Sequence, residues 1–163
     1  MPSKVLFVCM GNICRSPTAH GVMQHMIESQ GKSDAVMVDS AGTHAYHTGE
    51  QSDARSRAKA DERGIDMSYI RARKISIRDY DEFDYILAMD EDNLELIQYY
   101  APEHHRAHID LFLSFANQAG LTEQVSVPDP YYGGAAGFEN VFNLVETGCQ
   151  ALLAHLDAAG EHA

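Results

Sequence analysis

Short unbroken runs of apolar residues alternate along this chain with stretches of helical spacing. Val5-Leu6-Phe7-Val8 is the first run, and its lack of polar interruption predicts a strand buried on both faces of a parallel sheet. A polar turn follows, from Cys9 to Ser16. Pro17 then opens a helix, with Ser16 expected as its N-cap and proline at the first helical position. Val22, Met23, Met26 and Ile27 recur at helical spacing, and Gly31 ends the helix. The alternation repeats. Ala35 to Val38 reads as a second strand, followed by a loop rich in Gly, His and Thr. Ser52 to Arg63 reads as a polar helix ended by Gly64. Tyr85 to Met89 predicts a third buried strand, Asp92 to Tyr100 a helix with an acidic start, and Ile109 to Phe112 a fourth strand. The last helix is expected from Phe138 to Leu156, with Val141, Leu144, Val145, Leu152 and Leu156 on one side.

Strands alternating with helices predict an α/β chain, its parallel sheet covered on both faces and its crossovers right-handed. In such sheets ligands bind beyond the carboxyl ends of strands, where the strand order reverses. The turn after the first strand is therefore the place to look. No internal repeat, low-complexity tract or linker interrupts the chain. Its 163 residues are expected to form one domain, 1–163.

That turn reads Cys9-Met10-Gly11-Asn12-Ile13-Cys14-Arg15-Ser16, a cysteine and an arginine with five residues between them. Between a strand and a helix, this spacing lets the backbone curl into a cradle of inward N–H groups. Gly11 and Asn12 are the residues suited to the left-handed backbone a cradle requires. The helix N-terminus adds unpaired N–H groups and the positive end of its dipole, which suits an anion. The same field, with an adjacent arginine, favours the thiolate of a cysteine in this position. Arg15 can hold two phosphate oxygens through its planar fork. Ser16 is placed to donate a hydroxyl hydrogen bond to the sulfur. The plainer alternative is a buried strand cysteine and a surface arginine. An ATP-binding loop is excluded, because the Gly-Lys-Ser/Thr ending is missing.

A phosphate-ester hydrolase also needs a proton for the leaving oxygen. The candidate is Asp129, in Val127-Pro128-Asp129-Pro130-Tyr131-Tyr132-Gly133-Gly134. Two prolines stiffen its backbone, and Tyr131 and Tyr132 offer walls for an aromatic ring. The alternative is an ordinary turn built from common turn formers.

Charge narrows the classes. Twenty-four acidic against 12 basic residues give a net charge of −12, which argues against nucleic acid and against an anionic membrane surface. Any attraction for phosphate must be local. No run approaches the ~20 apolar residues a membrane helix needs, and the N-terminus has no signal-peptide pattern. The three cysteines, Cys9, Cys14 and Cys149, do not make a disulfide framework, and a cytoplasmic location is expected. Nine histidines include His104, His105 and His108, but none shows a zinc spacing with cysteine, so no metal and no cofactor are expected.

The motifs VLFVCMGNICRSP at the start, VDSAGT at 38–43, FDYILAMDEDNL at 83–94 and DPYYGG at 129–134 resemble the low-molecular-weight protein tyrosine phosphatases. The resemblance runs from Val5 to about Leu156, with the start motif and the acid motif about 120 residues apart. It implies a three-layer sandwich with a four-stranded parallel sheet and hydrolysis of phosphotyrosine through a phosphocysteine intermediate. Cys9 would be the nucleophile, Arg15 the clamp and Asp129 the general acid, then base. Met10, Gly11, Asn12, Ile13, Cys14 and Ser16 would complete the phosphate loop. Asn12 and Ser40 match the polar pair that holds the loop in shape.

The resemblance also implies that Ile13 favours phosphotyrosine, since relatives acting on phosphoarginine tend to carry threonine there. Tyr46 matches a rim position that sandwiches the substrate ring with Tyr131. Equally, it reads as a surface tyrosine on its own loop. Cys14 would be a redox partner able to join Cys9 in a disulfide on oxidation, or else a small buried support. The implied partner is a phosphotyrosine-containing protein, for example a tyrosine kinase or a polysaccharide-synthesis regulator. The segment Tyr69 to Arg73 departs from the pattern by lacking a bracing histidine. Its Arg71 and Arg73 make a small basic spot, read either as a solvated face or as a site that steers an acidic peptide. Two rivals remain: an arsenate reductase on the same scaffold, which would need further cysteines, and a phosphate-binding or phosphocarrier module that does not hydrolyse.

Overall fold

The first apolar run becomes β1 (Ser3–Cys9), and everything else is wound about it. In the computed structural model, which describes residues 2–130 and 134–161, the chain continues through α1 (Arg15–Ser29), β2 (Val36–Gly42) and α2 (Ala54–Glu62). Then come α3 (Asp79–Glu82), β3 (Tyr85–Ala88), α4 (Glu91–Tyr100), β4 (His108–Leu111), α5 (Ser114–Gln118) and α6 (Gly134–Glu161). The strands form one sheet in the order β2-β1-β3-β4, all pairs parallel. This is the α/β sandwich with a four-stranded parallel sheet that the alternation predicts.

Side chains alternate across the sheet as the pleat requires. Val5, Phe7 and Leu87 join the cluster packed beneath α1, α5 and α6, whereas Leu6, Val8, Ile86 and Ala88 join Tyr80 and Ile97 beneath α3 and α4. On the first face the packing is close. A Cβ on Gly148 of α6 would stand 2.4 Å from Phe112 Cζ. Because β1 has β2 on one side and β3 on the other, the strand order reverses at its carboxyl end. A crevice belongs there.

Several boundaries differ from expectation. α1 begins at Arg15 with Cys14 as its N-cap, so Ser16 and Pro17 lie within the first turn. Proline is tolerated there because first-turn N–H groups have no intrahelical partner. β2 runs on through Asp39, Ser40 and Ala41 to Gly42, each paired with β1, although their polar character hides the strand. α4 starts at Glu91, and its acidic cap is Asp90, whose carboxylate accepts from Asn93 N at 2.7 Å. α6 extends beyond both expected ends, and the short α3 and α5 carry too few turns for a periodic signal.

Candidate active site

The loop between β1 and α1 lies at the predicted crevice. Asn12 takes the left-handed backbone, φ 57°. Gly11 does not, contrary to expectation. Its lack of a side chain serves close approach instead, since a Cβ there would stand 3.2 Å from His47 Cδ2. Gly42 serves the same purpose behind the loop. A Cβ on it would meet Met10 O at 2.7 Å and Asn12 N at 3.2 Å.

The loop is held from outside. Thr43 N and His44 N donate to Cys9 O and Met10 O, and Asp53 N donates to Ile13 O at 2.8 Å. Asn12 spans the interior, its Nδ2 donating to Ser16 Oγ at 2.8 Å and its Oδ1 accepting from Arg73 N at 3.0 Å. That main-chain donor sits in the segment that lacks the bracing histidine, and it supplies the brace. Ser40 does not meet Asn12. Its hydroxyl pairs with His20 Nδ1 at 3.0 Å, one layer further back. Among the described residues, the amides of residues 11–14 donate to no protein acceptor. With the first-turn amides of α1 they form a row of donors suited to an oxyanion.

A cleft of about 270 Å³ opens over this row, lined among others by Cys9, Ile13, Arg15, Tyr46, His47 and Asp129. Cys9 Sγ lies 3.0 Å from Ser16 Oγ. Ser16 therefore serves the sulfur and the loop rather than capping the helix. Arg15 is 4% exposed, and both its described hydrogen bonds use Nη1, to Asp90 Oδ2 at 2.5 Å and Val127 O at 3.1 Å. Burial opposes its charge, yet Cys9, Asp90 and Asp129 together hold its pKa above the ordinary arginine value. Its Nη2 lies 3.9 Å from Asp129 Oδ2. Val127 also donates its N–H to Met89 O at 2.8 Å, which ties the loop carrying Asp129 to the end of β3.

Cys14 is buried, and burial, reinforced by Asp53, Cys9 and Asp129, pushes its thiol up to about 12. Cys149 is fully buried in α6 and also pushed up by burial. All three cysteines are free thiols. Tyr46 is exposed, lines the cleft and stacks on His44 of its own loop, with ring centroids 5.2 Å apart. Tyr131 and Tyr132 lie outside the described residues. Among the described residues no three His, Cys, Asp or Glu side chains converge as a metal site, and no helix is long and apolar enough to cross a membrane.

Sequence reasoning missed Asp90, His20 and His47. Asp90 was discoverable, because it directly follows a predicted buried strand, where sites of open sheets gather. His47 accepts no such argument. It reaches the cleft only because the 43–50 loop folds back, with Nδ1 held 2.6 Å from Glu50 Oε2.

Comparison with known proteins converges on one group. The family model for low molecular weight phosphotyrosine protein phosphatase matches residues 4–162. A putative low molecular weight protein-tyrosine-phosphatase of Synechocystis sp. is 43% identical over 156 residues, covering 94% of this chain and 96% of that protein. A crystal structure of protein tyrosine phosphatase from Entamoeba histolytica superimposes with a TM-score of 0.89 at 39% identity, covering 97% of this chain and 99% of the other. A drosophila arginine phosphatase gives a TM-score of 0.86 at 32% identity, covering 93% and 96%.

Proposed function

The chain belongs to the low molecular weight phosphotyrosine protein phosphatase family, and on that premise we propose that it hydrolyses phosphotyrosine in proteins through a phosphocysteine intermediate. Cys9 is the nucleophile, Arg15 the clamp and Asp129 the general acid. One observation carries the reading: Cys9, the loop residues Gly11, Ile13 and Cys14, whose amides donate to no acceptor among the described residues, the buried Arg15 and Asp129 all border one cleft.

The Cys9 thiolate attacks phosphorus as the bond to the aryl oxygen breaks, and Asp129 gives its proton to that oxygen. The loop amides and Arg15 meet the charge on the equatorial oxygens, where positioning and charge stabilisation do most of the work. In the second step Asp129 takes a proton from water, the water oxygen bonds to phosphorus, and the sulfur–phosphorus bond breaks. Ser16 then donates to the departing thiolate. A reducing compartment such as the cytoplasm suits a free nucleophilic thiol, and Cys14 would trap an oxidised Cys9 as a disulfide before irreversible oxidation. The substrate is a phosphotyrosine-containing protein, with a tyrosine kinase or a polysaccharide-synthesis regulator as examples.

The cysteine inventory counts against arsenate reduction, since Cys149 is sealed in the core. A phosphate carrier has no use for the Arg15–Asp129 pairing. The test is turnover of p-nitrophenyl phosphate and of matched phosphotyrosine and phosphoarginine peptides. Rapid quenching should show one phosphoryl group on Cys9, and Cys9→Ser should abolish turnover. Turnover that persists in Cys9→Ser, or a preference for phosphoarginine, would refute the assignment.

A further inference from the structure

A second concavity, of about 210 Å³, has a lining that includes Thr43, Lys74, Ile77, Tyr80, Leu96 and Tyr100. Its floor is apolar in practice. Tyr80 is buried, and its hydroxyl is already committed to Ile97 O at 2.7 Å. On the rim, Ile77 is 62% exposed and Tyr100 59%. Single exposed apolar residues are ordinary, but two large ones converging on one groove mark a binding surface.

The charge around the groove is uneven. Residues 71–78 hold Arg71, Arg73, Lys74 and Arg78, a third of the basic residues of a chain whose net charge is −12. Arg73 is matched by Asp39 and Asp79. Among the described residues Arg71 donates only to main-chain carbonyls, and neither Lys74 nor Arg78 has a carboxylate partner. On the opposite lip, Asp92 and Glu95 border an adjoining depression shared with Leu96 and Tyr100. The groove itself therefore carries one basic side chain, Lys74, and the depression that adjoins it across Leu96 and Tyr100 carries two acidic ones.

One chain segment borders both concavities. Thr43 lines the groove, while Tyr46 and His47 line the catalytic cleft. Three or four residues of chain span at most about 10–14 Å. The edge of the groove at Thr43 is therefore within three or four extended peptide residues of the edge of the cleft at Tyr46 and His47.

We infer that this groove is a docking subsite for the substrate segment flanking the phosphotyrosine: it takes one large apolar side chain three or four residues away, with an adjacent acidic residue paired to Lys74. The inference rests on the phosphotyrosine reading above and adds the sequence context to it. An apolar side chain alone would find the same floor in many proteins. The acidic neighbour supplies direction, since it is attracted by Lys74 on the groove and repelled by Asp92 and Glu95 of the adjoining depression.

The test uses phosphotyrosyl peptides with a Leu-Glu pair placed three or four residues before or after the phosphotyrosine, against peptides carrying Ser-Gln there. The wild-type protein should favour one Leu-Glu peptide in kcat/KM by roughly tenfold, as one partly buried apolar side chain plus one exposed charge pair would give. Lys74→Glu and Ile77→Ser, both at exposed positions, should erase that preference and leave kcat/KM for p-nitrophenyl phosphate within about twofold of wild type. Equal rates on all peptides, with p-nitrophenyl phosphate still hydrolysed, would overturn this inference alone. Failure to hydrolyse p-nitrophenyl phosphate would overturn the phosphatase reading and this inference with it. A concentration-dependent dimer lost in Ile77→Ser, with no peptide preference, would assign the groove to a second copy of the chain and overturn it too.

Discussion

Ser16 Oγ stands 3.0 Å from Cys9 Sγ and, at the same time, 2.8 Å from Asn12 Nδ2. Since Asn12 donates to it, the single hydroxyl proton is left for the sulfur or for Ala41 O at 3.3 Å. The sulfur is the closer acceptor, and as a thiolate the stronger one. Ser16→Ala removes that donor without touching the clamp or the acid. We expect kcat to fall about 10- to 100-fold, the range for losing one hydrogen bond to a charged group. Burst kinetics with p-nitrophenyl phosphate should show slowed breakdown of the phosphoenzyme. An unchanged steady-state rate would refute the role.

Asp90 does two jobs that one substitution separates. It holds Arg15 through Nη1 and caps α4 through Asn93 N. Asparagine caps as well as aspartate but carries no charge. Asp90→Asn should therefore lower kcat/KM by roughly tenfold or more while the melting temperature moves by only a few degrees. A large loss of stability with unaltered kinetics would place Asp90 in the fold rather than in the site.

His20 links stability to pH. Burial, with Arg73 adding to it and Asp39 opposing, lowers its pKa from 6.5 to about 4. The unfolded chain therefore binds more protons than the folded one between those values, and stability must decline as pH falls through that window. Between pH 7 and pH 4.5 this amounts to roughly 2 kcal/mol. Urea unfolding at pH 7 and pH 4.5 should show the decline in wild type. In His20→Gln it should be smaller by about that amount. Equal pH dependence in both proteins would contradict the assignment.

The three thiols should react unequally. Cys9 and Cys14 both line the cleft, but Cys14 is pushed up to about 12 by burial and nearby negative charge, and Cys149 is sealed within the core. Brief iodoacetamide treatment at pH 7 should give one adduct, on Cys9, by peptide mass mapping. Inorganic phosphate should slow it by occupying the cradle. Labelling of Cys14 first would contradict this ordering.

Most of the frame is readable in the pattern of residues. Buried strands such as Val5 to Val8 and Tyr85 to Met89 must be continuous apolar runs, and helices must repeat near every third or fourth position. The chemistry proposed for Cys9 and Arg15 is also local, because one turn between a strand and a helix places both. What the sequence could not determine was every relation that crosses the fold. Asp90 is 75 residues from Arg15 and Val127 is 112 away. No periodicity records which carboxylate or carbonyl a buried guanidinium finds. Ser16 reads as a cap by local rules, yet the nearness of the sulfur and of Asn12 takes its hydroxyl away from the helix. Ser40 pairs with His20 instead of Asn12 because β2 continues past its apolar stretch, through polar residues whose pairing only the sheet reveals. Local composition thus specified the elements and the reactive turn, while the partners that hold and charge that turn were settled by packing, since hydrogen bonds and desolvation depend on distance in space and not on distance along the chain.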